Sequence, residues 1–268
     1  MTKPLSDAST VLKAPQFYVV IPARYASARL PAKSLLDIAG KPMVVWVAER
    51  ATQSGAAQVI VATDDARIKQ AVEQHGYGAL MTSAAHLSGT DRIAEVALQQ
   101  AWSDETIVVN VQGDEPLIEP SLIAEVAALL NRNEQAAMAT ACHVIDKKAD
   151  YLNPNVVKVV LDAQAYAMYF SRAPIPYNRG ALAELEWPHS MVAYRHVGIY
   201  AYRVKFLKQY ASSLPGTLEQ IECLEQLRAL QQGHKIAVHI SGRAPASGVD
   251  TQEDLDAVRA CFQSKLKP

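Results

Sequence analysis

Three cationic side chains follow the first apolar run of the sequence. Arg24, Arg29 and Lys33 fall within ten residues, and no acidic residue appears in this stretch before Asp37. Residues 18–21 predict a buried β-strand, so the basic loop would leave the carboxyl end of a strand, where open α/β sheets bind ligands. Arg and Lys neutralise phosphate charge, and backbone amides add donors. The loop therefore suits a triphosphate; the alternative is a solvated basic turn.

Two common phosphate-binding motifs are not matched. Gly40 and Lys41 are followed by Pro42 and lack the glycine that a Walker loop places five residues earlier. Gly76 and Gly78 precede a strand and lack the third glycine of the dinucleotide fingerprint, so they indicate a simple turn. Kinase and dehydrogenase functions are disfavoured.

Two aspartates are candidate metal ligands. Asp114 follows an apolar strand and a glycine, and Asp250 follows Gly248 just before a predicted helix. Magnesium takes one or two protein carboxylates and completes its octahedron with water and substrate phosphates. The pair predicts a Mg²⁺ site, although either residue taken alone is more typical of a loop or a helix cap.

Small and hydroxyl residues open a predicted helix at Ser88, Gly89 and Thr90. Backbone amides and hydroxyls at a helix N-terminus suit contacts to a base or a ribose. Helix capping explains Ser88 or Thr90 equally well.

The later half of the chain contains groups suited to an acid sugar. An arginine pairs a carboxylate through two parallel hydrogen bonds, and neutral polar groups bind hydroxyls. The candidates are Arg172, His196, Tyr200, Glu225 and Gln226. His196 alone is equally consistent with a core histidine, and Glu225 and Gln226 with a solvated helix face. No side chain stands out as a general base.

Short β-branched runs alternate with helical stretches, which predicts a largely parallel sheet covered by helices. The predicted strands are residues 18–21, 59–62, 107–111, 156–161, 197–202 and 236–240. One helix begins at Pro42 and ends at Gly55, and another is capped by Asp64 and ends at Gly76.

Two further helices carry capping boxes. One begins at Thr217, with Gln220 as its capping partner, and continues through apolar positions to Gly233. The last begins at Thr251, paired with Asp254, and buries an apolar stripe that is expected to pack on the sheet. Residues 166–195 are predicted to be irregular because Pro174, Pro176 and Pro188 limit regular structure, which suggests an insert or an interface.

Bulk composition excludes several classes of protein. The formal net charge is -1, from 26 Lys and Arg against 27 Asp and Glu, which disfavours a nucleic-acid partner. Three cysteines without a CxxC pair favour a reducing cytoplasm, and no apolar run reaches the ~20 residues of a membrane helix. We expect a loose extension over residues 1–16, without signal-peptide character, and one domain over 17–265 with an insert near 165–200.

The motifs together resemble the CMP-Kdo synthetase (3-deoxy-manno-octulosonate cytidylyltransferase) family over residues 17–259. The segments that carry the resemblance are IPARYASARLPAKSLLDIAGKPM, HLSGTDRIAE, VVNVQGDEPLI, NVVKVV, YFSRAPIPY, HVGIYAYR, LEQLRAL and GVDTQEDL. Ala32 and Ser34 depart from the family pattern, where Gly and Pro are usual.

The resemblance implies a Rossmann-like α/β nucleotidyltransferase domain that dimerises through a smaller β-rich region. It implies conversion of CTP and Kdo into CMP-Kdo and diphosphate for lipopolysaccharide synthesis, with Mg²⁺ as cofactor and a cytoplasmic homodimer as the active form. Alternatives are another acid sugar, such as 8-amino-Kdo or a sialic acid, and a non-catalytic nucleotide-binding regulator.

The resemblance also assigns residues to roles. Those implied at the nucleotide are Arg24, Arg29, Lys33, Ser88, Gly89, Gln112 and Asp114. Asp114 and Asp250 would bind the metal, and catalysis would rest on Arg24, Lys33 and these two aspartates. Those implied at the sugar are Arg172, His196, Tyr200, Glu225 and Gln226.

Overall fold

The computed structural model describes residues 16–26, 29–86, 88–179, 192–246 and 248–266. Apart from Gln16, the predicted extension lies outside these residues, as do residues 180–191 of the predicted insert. The strands are β1 (Phe17–Ala23), β2 (Asp37–Ile38), β3 (Lys41–Pro42), β4 (Gln58–Thr63), β5 (Gly78–Met81), β6 (Ile107–Asn110), β7 (Ala136–Val144), β8 (Lys158–Leu161), β9 (Ala167–Ser171), β10 (Tyr194–Arg203) and β11 (Lys235–Ser241).

The helices lie between the strands. They are α1 (Met43–Thr52), α2 (Ala66–Gln74), α3 (Gly89–Gln99), α4 (Pro120–Arg132), α5 (Lys148–Leu152), α6 (Val204–Ala211), α7 (Thr217–Glu222), α8 (Gln226–Gln231) and α9 (Gln252–Leu266). Within the described residues, no helix is both long enough and apolar enough to cross a bilayer.

The main sheet runs in the order β11-β7-β10-β6-β1-β4-β5, and β8 pairs with both β10 and β9 beside this path. Strand β10 is antiparallel to β6 and β7, whereas the pairs β11·β7, β6·β1, β1·β4 and β4·β5 are parallel. Six strands therefore point the same way, and the carboxyl ends of β1, β6 and β11 share one edge. The predicted α/β class with a mostly parallel sheet is confirmed.

Helices cover both faces of the sheet because residues along each strand alternate between faces. On β1, Val19 and Ile21 pack under α1, α2 and α4, whereas Val20 packs under α3, α6 and α8. A third cluster forms where Leu255 and Val258 of α9 meet Ile38 of the β2–β3 hairpin. The prediction that α9 packs on the main sheet was therefore wrong, although its apolar stripe is buried.

Strands β7 and β9 of the main sheet and the short β2–β3 hairpin were not expected from the sequence. Strand β7 is rich in alanine and contains few β-branched residues, so its composition did not indicate a strand; pairing with β10 and β11 on its two sides forms it instead. Strand β9 and the start of β10 lie within residues 166–195, which were predicted to be irregular. The β8–β9 hairpin gives this region the β-rich character that the resemblance implied.

Two predicted helix boundaries were wrong. Asp65, not Asp64, caps α2 by accepting a hydrogen bond from the Arg67 amide at 2.9 Å. The helix predicted from Thr217 to Gly233 is broken at Cys223, whose φ of 53° is left-handed. Its first cap is the Gly216 amide donating to Glu219, rather than the Thr217–Gln220 pair.

An ion pair holds the two halves of this broken helix together. The Arg228 guanidinium of α8 donates to both carboxylate oxygens of Glu219 in α7, at 2.7 and 2.6 Å. Residues nine apart would lie on different turns of one straight helix, so the break is what allows them to pair. By contrast, the predicted Thr251–Asp254 capping box of α9 is confirmed.

Gly113 allows the loop after β6 to lie close against the end of β1. A Cβ at this position would lie 2.9 Å from the Pro22 carbonyl oxygen, which is backbone and cannot rotate away. The glycine is therefore needed for space and not for a left-handed φ.

We expect Gly113→Ala to lower the free energy of unfolding by about 1–3 kcal/mol, the usual cost of inserting a methyl group into a packed site. Chemical denaturation would measure this. Gly242→Ala is the matched control because a Cβ there has no neighbour within 4 Å. Equal stability of the two variants would contradict the steric explanation.

Candidate active site

Three loops meet at the carboxyl edge of the sheet and are joined by one ammonium group. Lys33 Nζ donates to Asp114 Oδ2 at 2.5 Å, to the Val249 carbonyl at 3.0 Å and to Asp250 Oδ1 at 3.2 Å. The Val249 amide in turn donates to the Asp114 carbonyl at 2.8 Å. Lys33 thus connects the loops that follow β1, β6 and β11.

The three predicted loop cations have different surroundings. Arg29 pairs with Asp250 Oδ1 at 2.9 Å, and Lys33 is only 16% exposed. Arg24 is exposed and forms no ion pair within the described residues. The three cations line a cleft of about 300 Å³ with Asp114 and Asp250. The alternative of a solvated basic turn therefore does not describe Lys33.

The carboxylates of the two predicted metal ligands, Asp114 and Asp250, lie close to each other. Asp114 Oδ2 and Asp250 Oδ1 both contact Lys33 Nζ, so they lie no farther apart than the sum of those two distances. No group of three or more His, Cys, Asp or Glu side chains suited to a metal occurs in the described part of the chain. Two carboxylates beside a cleft lined by three cations fit magnesium, which takes most of its ligands from water and phosphate.

Glu115, next to Asp114 in sequence, adds little negative charge beside the two aspartates. Burial raises the pKa of Glu115 to about 8, and the adjacent Asp114 charge adds to the effect. Glu115 is therefore largely protonated at neutral pH in the protein without bound ions.

A smaller pocket of about 220 Å³ opens on the other side of Arg24. Ser88 and Gly89 line it together with Gln112. Ser88 caps α3 by accepting from the Asp91 amide at 3.1 Å, so the predicted capping role is present. A Cβ at Gly89 would lie 3.4 Å from the Pro22 ring, so the start of α3 packs closely against the end of β1 here.

A larger cleft of about 460 Å³ adjoins both of these pockets. Four of the residues predicted to hold a sugar line it: His196, Tyr200, Glu225 and Gln226. Gln112 lines this cleft and both smaller pockets, and Asp250 lines this cleft and the basic one. The three spaces are therefore continuous and meet at Gln112.

The broken helix brings Glu225 and Gln226 to the cleft. Glu225 accepts a hydrogen bond from Thr90 Oγ1 at 2.9 Å, and the enclosure of its carboxylate raises its pKa. Gln226 is 4% exposed, and its Nε2 has no hydrogen-bond partner within the described residues. A solvated helix face, the alternative for these two residues, does not describe Gln226.

Asn110 lines the same cleft and was not singled out from the sequence. It is the last residue of β6 and is 2% exposed, and its Oδ1 has no hydrogen-bond partner in the described structure. An unpaired buried amide oxygen is costly, so Asn110 is a candidate for a role in the cleft that it lines. The only signal in the sequence was a polar residue inside the apolar run before Gln112.

Arg172 does not line the cleft with the other four predicted sugar residues. Its guanidinium donates to the carbonyls of Glu222 at 2.7 Å, Pro154 at 3.1 Å and Cys223 at 3.5 Å. Lys158 holds the Arg172 carbonyl at 2.6 Å. Arg172 therefore stabilises the end of α7 behind the cleft, with two of its five N–H groups left over.

His196 is held in the cleft wall by Thr140 and two aromatic rings. Its Nε2 lies 2.9 Å from Thr140 Oγ1, and its ring centroid lies 4.9 Å from Phe170 and 5.4 Å from Tyr200. Burial lowers the pKa of His196 to about 3, so the imidazole is neutral at physiological pH. Its role is therefore not that of a cation.

The family model for cytidylyltransferases matches residues 18–236. The chain belongs to the cytidylyltransferase family. Within it, the chain is 56% identical over 255 residues to the 3-deoxy-manno-octulosonate cytidylyltransferases of Acidovorax sp. (strain JS42) and Acidovorax ebreus (strain TPSY). Each alignment covers 92% of this chain and 97% of the relative.

Two solved structures share the fold of this chain. A CMP:2-keto-3-deoxy-manno-octonic acid synthetase in complex with CTP is 43% identical, with a TM-score of 0.86, and covers 94% of this chain and 100% of its own. A cytidylyltransferase from Leptospira borgpetersenii serovar Hardjo-bovis (strain JB197) is 18% identical, with a TM-score of 0.62 and coverage of 94% and 89%, and shares the fold.

We expect His196 to make stability depend on pH. Its folded-state pKa of about 3 lies below the ordinary value of 6.5, so only the unfolded state takes up a proton between these values. Stability is full above pH 6.5 and falls as the pH drops towards 3. Thermal unfolding at pH 7.5 and pH 5 should show a smaller loss for His196→Gln than for the wild type.

The exposed His75 provides the control. His75→Gln should lose as much stability between the two pH values as the wild type does. If His196→Gln behaved in the same way as His75→Gln, the burial of a neutral imidazole would be disproved.

Proposed function

We propose that this enzyme transfers CMP from CTP to 3-deoxy-D-manno-octulosonate (Kdo), releasing diphosphate. Support comes from the family, from relatives named for this reaction and from the continuous clefts. The observation that carries the sugar half is the polar lining of the cleft beside Asp250, to which Asn110 and Gln226 contribute amide groups. Such groups suit a polyhydroxylated ligand, which both donates and accepts hydrogen bonds.

In this reaction the anomeric hydroxyl of the sugar forms a bond to the α-phosphorus of CTP. The bond from that phosphorus to the diphosphate oxygen breaks, and the hydroxyl proton is released. Arg24, Arg29 and Lys33 neutralise the triphosphate, and Gln112 sits where the base, phosphate and sugar pockets meet. Catalysis of this kind depends mainly on alignment and on cancelling developing charge.

Asp114 and Asp250 would hold magnesium in this enzyme. The bound ion would neutralise phosphate charge and lower the pKa of the attacking hydroxyl. Lys33 already lies between the two carboxylates, so it would hold them close together and oriented.

The base would lie on the other side of Arg24, against Ser88 and Gly89. In the larger cleft, Tyr200, His196, Glu225 and Gln226 would hold the sugar hydroxyls. Arg172 would reach the sugar carboxylate with its two free N–H groups beside Cys223, which lines the cleft.

Diphosphate release tests the proposal directly. Each of the four nucleoside triphosphates would be combined with Kdo, 8-amino-Kdo and a sialic acid. Turnover confined to CTP with Kdo supports the proposal. Preference for either of the other sugars would reassign the substrate, and CTP binding without turnover on any sugar would indicate a non-catalytic nucleotide-binding regulator.

We also propose a cytoplasmic homodimer that serves lipopolysaccharide synthesis. The β8–β9 region carries exposed apolar side chains, with Met168 63% and Tyr177 71% exposed, and Val192 nearby in sequence is 54% exposed. Contact with a second copy would cover such residues. The net charge of -1 and the unpaired cysteines are consistent with a cytoplasmic enzyme.

We expect activity to require a divalent cation and to fall about 100-fold or more in Asp114→Asn or Asp250→Asn, since each change removes an anionic ligand and keeps the shape. Turnover would be titrated with Mg²⁺, and thermal unfolding would confirm a folded variant. Asp104→Asn is the control, because the Asp104 carboxylate is exposed and pairs with Lys208. Near-normal turnover in folded Asp114→Asn would disprove the metal assignment.

For Arg172→Lys we expect sugar affinity or turnover to fall about 10- to 150-fold, because an ammonium keeps the charge and loses the two-point fork; this corresponds to ~1.5–3 kcal/mol. CTP binding should barely change. The measurement is a paired titration of CTP and Kdo against the wild type, with Arg132→Lys, at the end of α4, as the exposed control.

Thermal unfolding distinguishes the two roles available to Arg172. A variant that lost stability but kept its Kdo affinity would make Arg172 a helix cap alone. A variant that lost CTP affinity and kept Kdo affinity would place Arg172 at the phosphates.

A further inference from the structure

The pairing of β10 with β7 is irregular beside the sugar cleft. The register shifts between Val197 and Tyr200, and Thr140 of β7 lies opposite Tyr200. Thr140 is fully buried, and its hydroxyl faces the irregular stretch. Its Oγ1 lies 2.7 Å from the Ile199 carbonyl oxygen, 3.2 Å from the Val197 carbonyl oxygen and 2.9 Å from His196 Nε2.

One hydroxyl hydrogen must serve these three neighbours. Carbonyl oxygens only accept, so the hydrogen has to point towards one of them, and Ile199 is the closer. If it pointed at the imidazole instead, the hydroxyl oxygen would face two carbonyl oxygens with no hydrogen between them. His196 must therefore supply the hydrogen of the third contact, which places a proton on Nε2.

A neutral imidazole that carries its hydrogen on Nε2 has a free lone pair on Nδ1. Nδ1 has no hydrogen-bond partner in the described structure. The His196 side chain is half-buried, and Nδ1 is not one of the unpartnered atoms that are closed off from solvent, so it is accessible. The ring lines the cleft and is held by Phe170 and Tyr200. His196 thus presents an acceptor, and a ligand hydroxyl is the natural donor.

We propose that Thr140 is a positioning residue that fixes His196 in the Nε2–H tautomer, so that Nδ1 accepts a hydrogen bond from a hydroxyl of the bound sugar. This proposal rests on the proposed function for the identity of the sugar. The tautomer itself follows from protein groups alone.

The tautomer can be measured in the wild-type enzyme. Long-range ¹H–¹⁵N correlation spectra of protein labelled with ¹⁵N-histidine distinguish the two neutral forms, and the His196→Gln spectrum identifies the His196 signals. We expect the Nε2–H form without ligand, and a shift of the Nδ1 resonance when Kdo is added. A predominant Nδ1–H form would overturn the proposal.

Variants at Thr140 test the positioning role. In Thr140→Val we expect a mixed tautomer population and a KM for Kdo that rises about tenfold, the loss of roughly one hydrogen bond, with the KM for CTP unchanged. Thr140→Ser keeps the hydroxyl and should restore both the spectrum and the KM. If Thr140→Val and Thr140→Ser gave the same KM for Kdo, Thr140 would be a packing residue only and the proposal would be wrong.

The outcomes separate this proposal from the proposed function. Should the enzyme use another sugar acid, the Nε2–H tautomer would stand, and the Nδ1 shift would appear with that sugar. Should no sugar acid shift Nδ1, the acceptor role of His196 would be disproved even if CMP transfer to Kdo were observed.

Discussion

The contact of the Lys33 ammonium with Asp114 and Asp250 holds the site together. Two carboxylates at one point repel each other, and a cation between them removes that repulsion while fixing their positions. The three loops involved follow β1, β6 and β11, which lie far apart in sequence and end at the same edge of the sheet. Gly113 has no side chain, which allows the loop after β6 to lie close against the end of β1.

The two substrates would meet two structurally different halves of the protein. The nucleotide side is built from parallel strands and the loops at their carboxyl ends, as in other open α/β sheets. The sugar side depends on the antiparallel strand β10, which carries His196 and Tyr200, and on the break at Cys223 that turns Gln226 inward. Irregular backbone, both the shifted register of β10 and the broken helix, thus creates the polar cleft.

Sequence reasoning succeeded where the signal is local. Apolar runs marked β1, β4, β6, β8, β10 and β11, because buried strands need continuous apolar side chains. It failed for β7, which has the composition of a helix and becomes a strand through its two neighbours. It also failed at Cys223, since nothing in the apolar spacing of that helix shows that Glu219 and Arg228 will pair across a break.

By itself the sequence determined the class of fold, the basic loop, the two aspartates and the family, because each is carried by residue type and order along the chain. Tertiary structure alone decided that Lys33 is bound to both aspartates, that Arg172 stands behind the cleft while four other sugar candidates line it, and that Asn110 belongs to the site. The reason is that burial and hydrogen-bond pairing depend on which distant segments meet. A sequence pattern shows what a residue is able to do, and the contacts across the sheet decide which of those interactions are already satisfied and which remain for a ligand.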